Sequence, residues 1–205
     1  MSNGGNIVGV LLAGGQARRM GGGDKCLRLL GGRPILDQII ERTRPQVYQL
    51  VLNANGNHAR FKEFKLPVIA DSIKGFAGPL AGVLAGLDWA ASCGHDYTWV
   101  ATFATDAPFV PVDLVQRMRD GIVAENADMA CASSNGRRHP VFGLWPVILR
   151  DDLRQAMTQE KIRKVDMWTA RHRLAIAEFP VDTIDPFFNA NRPEDLERAE
   201  AWVKG

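Results

Sequence analysis

A chain of 205 residues, 46% hydrophobic and 23% charged, is long enough for one domain (1–205) with a sizeable core. Its formal net charge of +2 is too small for a nucleic-acid surface, and its basic residues are scattered. Cys26, Cys93 and Cys131 form no C-x-x-C pair, which argues against zinc and for reduced thiols.

At the start, "MSNGGN" carries no basic stretch, and the apolar run behind it is too short for a signal peptide or membrane span. A cytoplasmic chain with no membrane partner is expected. "IVGVLLA" (7–13) reads as a strand buried in the middle of a parallel sheet. After a glycine-rich loop, "PILDQIIERTRPQ" (34–46) puts Ile35, Leu36, Ile39 and Ile40 on one helical face, with Pro34 suited to the first turn. "YQLVLNA" (48–54) and "LPVIAD" (66–71) are the next strands. "GPLAGVLAGLDWAA" (78–91) spaces Leu80, Val83, Leu84 and Leu87 as a core-facing helix. "YTWVATFATD" (97–106) is a long strand ending in an acid, and "VPVDLVQRMRDGI" (110–122) a helix with Pro111 near its start. "ADMACAS" (127–133) and "PVFGLWP" (140–146) are strands; two helical stretches occupy 147–171. A late strand, "LAIAEFPV" (174–181), precedes an amphipathic helix, "RPEDLERAEAWVKG" (192–205).

This alternation predicts an α/β fold, a mostly parallel sheet with helices on both faces. Such sheets bind ligands beyond the carboxyl ends of their strands. The loop after Ala13, then Asn53, Asp71 and Asp106, all fall at such ends.

The loop itself, "LLAGGQARRMGGGDKCL" (11–27), lacks both G-x-G-x-x-G and the P-loop G-x-x-x-x-G-K-[ST]. The physics is shared all the same. Glycines let backbone N–H groups approach phosphate oxygens as an anion nest, and Arg19 and Lys25 can neutralise a triphosphate from the side.

That stretch resembles the L-A-G-G-x-x-x-R-M-G-x-x-K signature of nucleotidyltransferases that open on a Rossmann-like strand, most closely the molybdenum cofactor guanylyltransferase family. The resemblance continues in order through "NAN" (53–55), "IAD" (69–71), "GPLAGVLAGL" (78–87), "TDAPF" (105–109), "HPVFGLW" (139–145) and "FFNANRPEDL" (187–196). It implies the nucleotidyltransferase fold and the transfer of GMP from GTP to molybdenum-molybdopterin, with release of pyrophosphate and dependence on Mg²⁺. Molybdenum-insertion proteins and molybdoenzyme chaperones are further candidate partners. A monomer is the working expectation.

Asp106 is the expected metal ligand, since it ends an apolar strand and Mg²⁺ takes few protein carboxylates. Arg19, Lys25 and Asp106 are the expected catalytic residues. Leu12, Ala13, Gly14 and Gly15 would meet the nucleotide. Nucleotide roles for Asn53 and Asp71 rest on the resemblance; either could be an ordinary strand-end residue. Gly78 opens a helix whose free N–H groups could face a ligand. Gly82, Asn189 and Asn191 are assigned to molybdopterin. If residues 189–191 are extended, the two carboxamides point to one side; alternatively Asn191 caps the last helix and Asn189 forms a turn. Cys26 reads as filler, and no histidine is assigned to catalysis. Three rivals stay open: a cytidylyltransferase for the same pterin, whose family more often reads L-A-A-G; a sugar-phosphate nucleotidyltransferase; and a non-catalytic nucleotide-binding regulator.

Overall fold

A computed structural model describes residues 6–14, 24–73, 75 and 78–204. Gly15, Arg18, Arg19 and the glycines at 21–23 lie outside the described residues, and with them the roles expected of Gly15 and Arg19.

Alternation writes the centre of the sheet. In β1 (Ile7–Leu12), Ile7 and Leu11 enter one core and Val8 and Val10 the other, all nearly solvent-free. A short hairpin follows, β2 (Leu29–Leu30) and β3 (Arg33–Pro34), turned by Gly31 and Gly32 at φ +59° and +78°. Next come α1 (Ile35–Thr43), β4 (Gln49–Asn53), a 3₁₀ segment (His58–Phe64) and β5 (Val68–Ile69). The chain continues through α2 (Pro79–Ser92), β6 (Trp99–Ala104), α3 (Leu114–Glu125), β7 (Met129–Ser134) and β8 (Arg137–Pro146). It closes with α4 (Arg150–Thr158), α5 (Val165–Thr169), β9 (Leu174–Phe179) and α6 (Pro193–Lys204).

The main sheet has seven strands in the order β5-β4-β1-β6-β8-β7-β9. Only β8 runs against the others, and so the expected mostly parallel sheet is what the chain forms. Two apolar cores lie on its opposite faces. One gathers Leu36 and Ile39 of α1 with Leu114 and Met118 of α3. The other gathers Leu80, Val83, Leu84 and Leu87 of α2 with Leu153 of α4 and Trp168 of α5. Burial on this scale, at about 25 cal/mol per Å² of apolar surface, is the main force holding the helices to the sheet. Among the described residues no helix is long and apolar enough to cross a membrane.

Two departures from the sequence reading bear on the site. The helix expected from residue 110 starts at Leu114, behind Asp113. The strand expected over residues 140–146 begins earlier, at Arg137, and is interrupted. Cys131 pairs with Gly143 but Ala132 with His139, so residues 140–142 have no partner on β7. Thr102 Oγ1 donates to Val141 O at 2.7 Å and holds this bulge against β6. Bulges commonly re-aim a strand beside a site.

Candidate active site

A cavity of about 420 Å³ opens beyond the carboxyl ends of β1, β4, β5 and β6. Leu12, Ala13, Gly14, Lys25, Asn53, Asp71, Gly78, Gly82 and Asp106 all line it. Four strand ends far apart in sequence thus converge because parallel strands point their carboxyl ends the same way.

β1 enters the cavity as Ala13 N donates to Asn53 O at 2.9 Å, which ties two strand ends together. Among the described residues, a Cβ placed on Gly14 would meet nothing within 4 Å, and Gly14 lines the cavity. Thr105 Oγ1 donates to Leu12 O at 3.0 Å, linking β1 to the residue before Asp106.

Lys25 and Cys26 sit on a single 3₁₀ turn, Lys25–Leu27. Lys25 Nζ donates to Asn191 Oδ1 at 2.7 Å. Burial pushes the Asp106 carboxyl above its ordinary value, and the Lys25 ammonium pulls it back. A desolvated carboxylate near a lysine is the electrostatic arrangement that a cation and an anionic ligand would both relieve. Cys26 is different. Burial, with the Asp24 carboxylate adding to it, pushes its thiol up to about 12, so it fills space and offers no thiolate.

Elsewhere on the cavity lining, two carboxamides hold one carboxylate. Asn53 Nδ2 donates to Asp71 Oδ1 at 3.0 Å, and Asn55 Nδ2 to Asp71 Oδ2 at 2.7 Å. Asn55 Oδ1 accepts from Asp71 N at 3.0 Å. Asn55 also lines the cavity, which sequence reasoning did not assign. Its signal was present in "NAN", where polar residues two apart flank a strand end. Val141, carried in by the bulge of β8, was missed as well.

Gly78 has φ +118°, a conformation that only glycine adopts readily, and Pro79 opens α2 directly after it. A Cβ on Gly82 would lie 2.5 Å from both Asn53 Oδ1 and Leu12 Cδ2. Its bareness lets α2 press against the ends of β1 and β4. Gly86 does the same one turn on, where a Cβ would lie 2.6 Å from Val10 Cγ2.

Asn189 and Asn191 do not line the cavity; their segment is bonded to two residues that do, Lys25 and Asp106. Ala190 N donates to Asp106 O at 2.8 Å, which pins the segment to the strand end carrying the carboxylate. Of the two conformations left open, the extended one is not adopted, since Asn191 N donates back to Asn189 O at 3.0 Å. The carboxamides therefore do not act as a parallel pair. The side chain of Asn191 turns to Lys25, and the buried Asn189 Oδ1 has no hydrogen-bond partner. Nor does the Asn191 side chain cap α6. Asp195 Oδ2 takes the backbone N–H groups of Asn191 and Arg192, at 3.1 and 2.9 Å.

Comparison with known proteins agrees with this architecture. The profile of the MobA-like NTP transferase domain matches residues 9–174. A molybdenum cofactor guanylyltransferase of Rhodopseudomonas palustris (strain BisB5) is 56% identical over 191 residues, covering 93% of this chain and 91% of that protein. The crystal structure of molybdopterin-guanine dinucleotide biosynthesis protein A from Archaeoglobus fulgidus superposes with a TM-score of 0.73 at 24% identity, covering 96% and 98% of the two chains. That of Rv0371c from Mycobacterium tuberculosis H37Rv, in complex with manganese, gives 0.67 at 18% identity, covering 97% and 100%. With its mostly parallel sheet, its strand-end cavity and these relatives, the chain belongs to the MobA-like NTP transferase family and is a nucleotidyltransferase of the molybdenum cofactor guanylyltransferase group.

Proposed function

We propose that the enzyme transfers GMP from GTP to molybdenum-molybdopterin, forming molybdopterin guanine dinucleotide and pyrophosphate. The observation that carries this reading is the single cavity shared by Gly14, Lys25, Asp71 and Asp106, in a chain 56% identical to a relative named for that activity. In one step, an oxygen of the pterin's terminal phosphate would form a bond to the α-phosphorus of GTP while the bond to the bridging oxygen of pyrophosphate breaks. A phosphate nucleophile is already anionic near neutral pH and needs no protein base. Catalysis is then positioning and charge neutralisation.

Each residue has a part. The backbone from Leu12 to Gly15 would approach the nucleotide, with Arg19 and Lys25 taking phosphate charge. Asn53, Asp71 and the amino end of α2 at Gly78 would hold the nucleoside side. Asn189 and Asn191 would face the pterin, so the N-terminal part of the domain binds nucleotide and the C-terminal part the acceptor.

Mg²⁺ is the expected metal. The donor chemistry here fits it: a desolvated carboxylate on Asp106, and the buried, unpartnered Asn189 Oδ1 on the segment pinned to Asp106. Mg²⁺ takes only one or two protein carboxylates and keeps water and phosphate ligands, so this small donor set would suffice. When bound, the metal would offset charge on the departing pyrophosphate. The same reading has the reaction proceed in the cytoplasm on a monomer.

The test is pyrophosphate release from GTP, measured with and without Mg²⁺ and with and without molybdenum-molybdopterin. Release should need all three components. CTP used as readily as GTP would remove the guanylyl assignment, and release without the pterin would remove the acceptor.

A further inference from the structure

A chain of three polar side chains lies outside the cavity, where β7 turns into β8. Ser134, the last residue of β7, is 1% exposed, and His139, the third of β8, is 9% exposed. Ser134 Oγ lies 2.7 Å from His139 Nε2 and donates to Asp185 Oδ1 at 2.9 Å. A hydroxyl has one proton. Since Asp185 takes it, His139 must reach Ser134 with a protonated Nε2. The direction is therefore set as His139 N–H to Ser134 O–H to the Asp185 carboxylate.

Asp185 passes this restraint on to the segment that borders the cavity. Its Oδ1 also accepts from Phe187 N at 2.9 Å, and its backbone O from Phe188 N at 2.9 Å. The ring of Phe187 lies 4.5 Å from that of His139 and 4.8 Å from that of Phe142. Two residues further on stands Asn189; then Ala190 bonds to Asp106 O and Asn191 receives Lys25. The segment is held at both ends, by the hairpin at Asp185 and by the cavity wall at 190–191. Burial favours the neutral imidazole, with Asp185 acting against it.

We propose that Ser134, His139 and Asp185 are positioning residues for the acceptor. They fix the 185–191 segment so that Asn189 and Asn191 meet the acceptor phosphate beside Lys25 and Asp106. None of the three lines the nucleotide cavity. Their effect should thus fall on the acceptor and spare GTP. This rests on the guanylyltransferase reading for its substrate, but not for its geometry.

The test uses the full-length protein with GTP and molybdenum-molybdopterin. Ser134→Ala and His139→Leu break the chain. Each should raise the acceptor KM about 10-fold, the size of one lost buried hydrogen bond, with GTP affinity within about twofold of wild type. His139→Gln keeps an N–H donor near Nε2 and should recover most of the loss, which a general loss of packing would not allow. An unchanged acceptor KM in Ser134→Ala, or an equal loss of GTP affinity, overturns the proposal. Amide hydrogen exchange in the wild type supplies a second readout that needs no variant to fold. The amides of Phe187 and Ala190 should be as protected as those of the β7–β8 hairpin. Exchange at the rate of an open loop overturns the proposal. If wild-type enzyme transfers nothing to the pterin, the substrate reading fails, and the exchange measurement still decides the geometry.

Discussion

Arg60 Nε donates to Asp24 Oδ2 at 2.5 Å, tying the residue before Lys25 to the 3₁₀ segment at His58–Phe64. The same guanidinium donates to Asn57 O and, at 2.9 Å, to Asn55 O. It therefore joins the end of the glycine loop to the loop that holds Asp71. It also gives the Asp24 carboxylate a partner other than Lys25. Arg60→Met should leave that charge without its partner and loosen both loops. Charge-assisted hydrogen bonds of this kind contribute about 1.5–3 kcal/mol, so GTP affinity should fall by roughly tenfold or more. Titration calorimetry with GTP checks it; unchanged affinity would show that the clamp is ornamental.

Lys25→Ala should cost far more than the ~0–1 kcal/mol of a surface ion pair, because under the proposed function it would remove a phosphate contact together with the Asn191 partner. A double-mutant cycle with Asn191→Ala separates the two. Contact at 2.7 Å predicts a coupling of about 0.5–3 kcal/mol in kcat/KM. Additive losses would mean the two side chains act independently.

Asp106→Asn should abolish transfer and stabilise the metal-free fold. The sign follows from linkage. Burial raises the folded carboxyl above its unfolded value, so the group favours folding at low pH and opposes it as pH rises and the charge forms. At neutral pH the amide removes that opposition. Thermal melts in the presence of a chelator should show a higher Tm for the variant at pH 7 and a smaller difference near pH 4. A lower Tm at pH 7 would contradict this, and near-normal turnover would remove Asp106 from the reaction.

Gly82→Ala discriminates between two uses of one glycine. Its Cβ would strike Asn53 Oδ1 and Leu12, so packing predicts about 1–3 kcal/mol of lost stability and weaker GTP binding. A direct pterin contact predicts weaker pterin binding with GTP affinity intact. Fluorescence titration with each ligand reads the difference.

Thiol chemistry offers a check on burial. Cys26 and Cys131 are both about 2% exposed, and burial pushes their thiols up to about 12 and about 11. Cys93 is more accessible. An aromatic disulfide reagent at pH 8 should modify Cys93 quickly in native protein and all three only after unfolding. Rapid native labelling of Cys26 would indicate a cavity wall much looser than described.

Much of the fold was legible because parallel strands buried on both faces read as apolar runs. β1, β4 and β6 announced themselves in this way, and the helical spacing of α2 was equally plain. The strand ends then located Asn53, Asp71 and Asp106. What the sequence hid were features made by tertiary contact. The bulge at 140–142 follows from Thr102 taking the carbonyl of Val141, which no pattern in "HPVFGLW" reveals. Nothing in the sequence singles out Arg60, whose partners lie 36 and 5 residues away. The choice between an extended segment and a turn at 189–191 was open in the sequence for a similar reason: it is decided where Ala190 is bound to Asp106 and the chain turns.

The pairing of Lys25 with Asn191 spans 166 positions. During synthesis, at about 5–20 residues per second, the Lys25 end of the cavity waits on the order of 10–30 s for its Asn191 partner to leave the ribosome. Gly14, Asn53, Asp71 and Asp106 can gather around β1, β4 and β6 before then. A nascent chain would thus become able to hold nucleotide well before it could turn it over, and turnover would begin only once the last tenth of the polypeptide had docked.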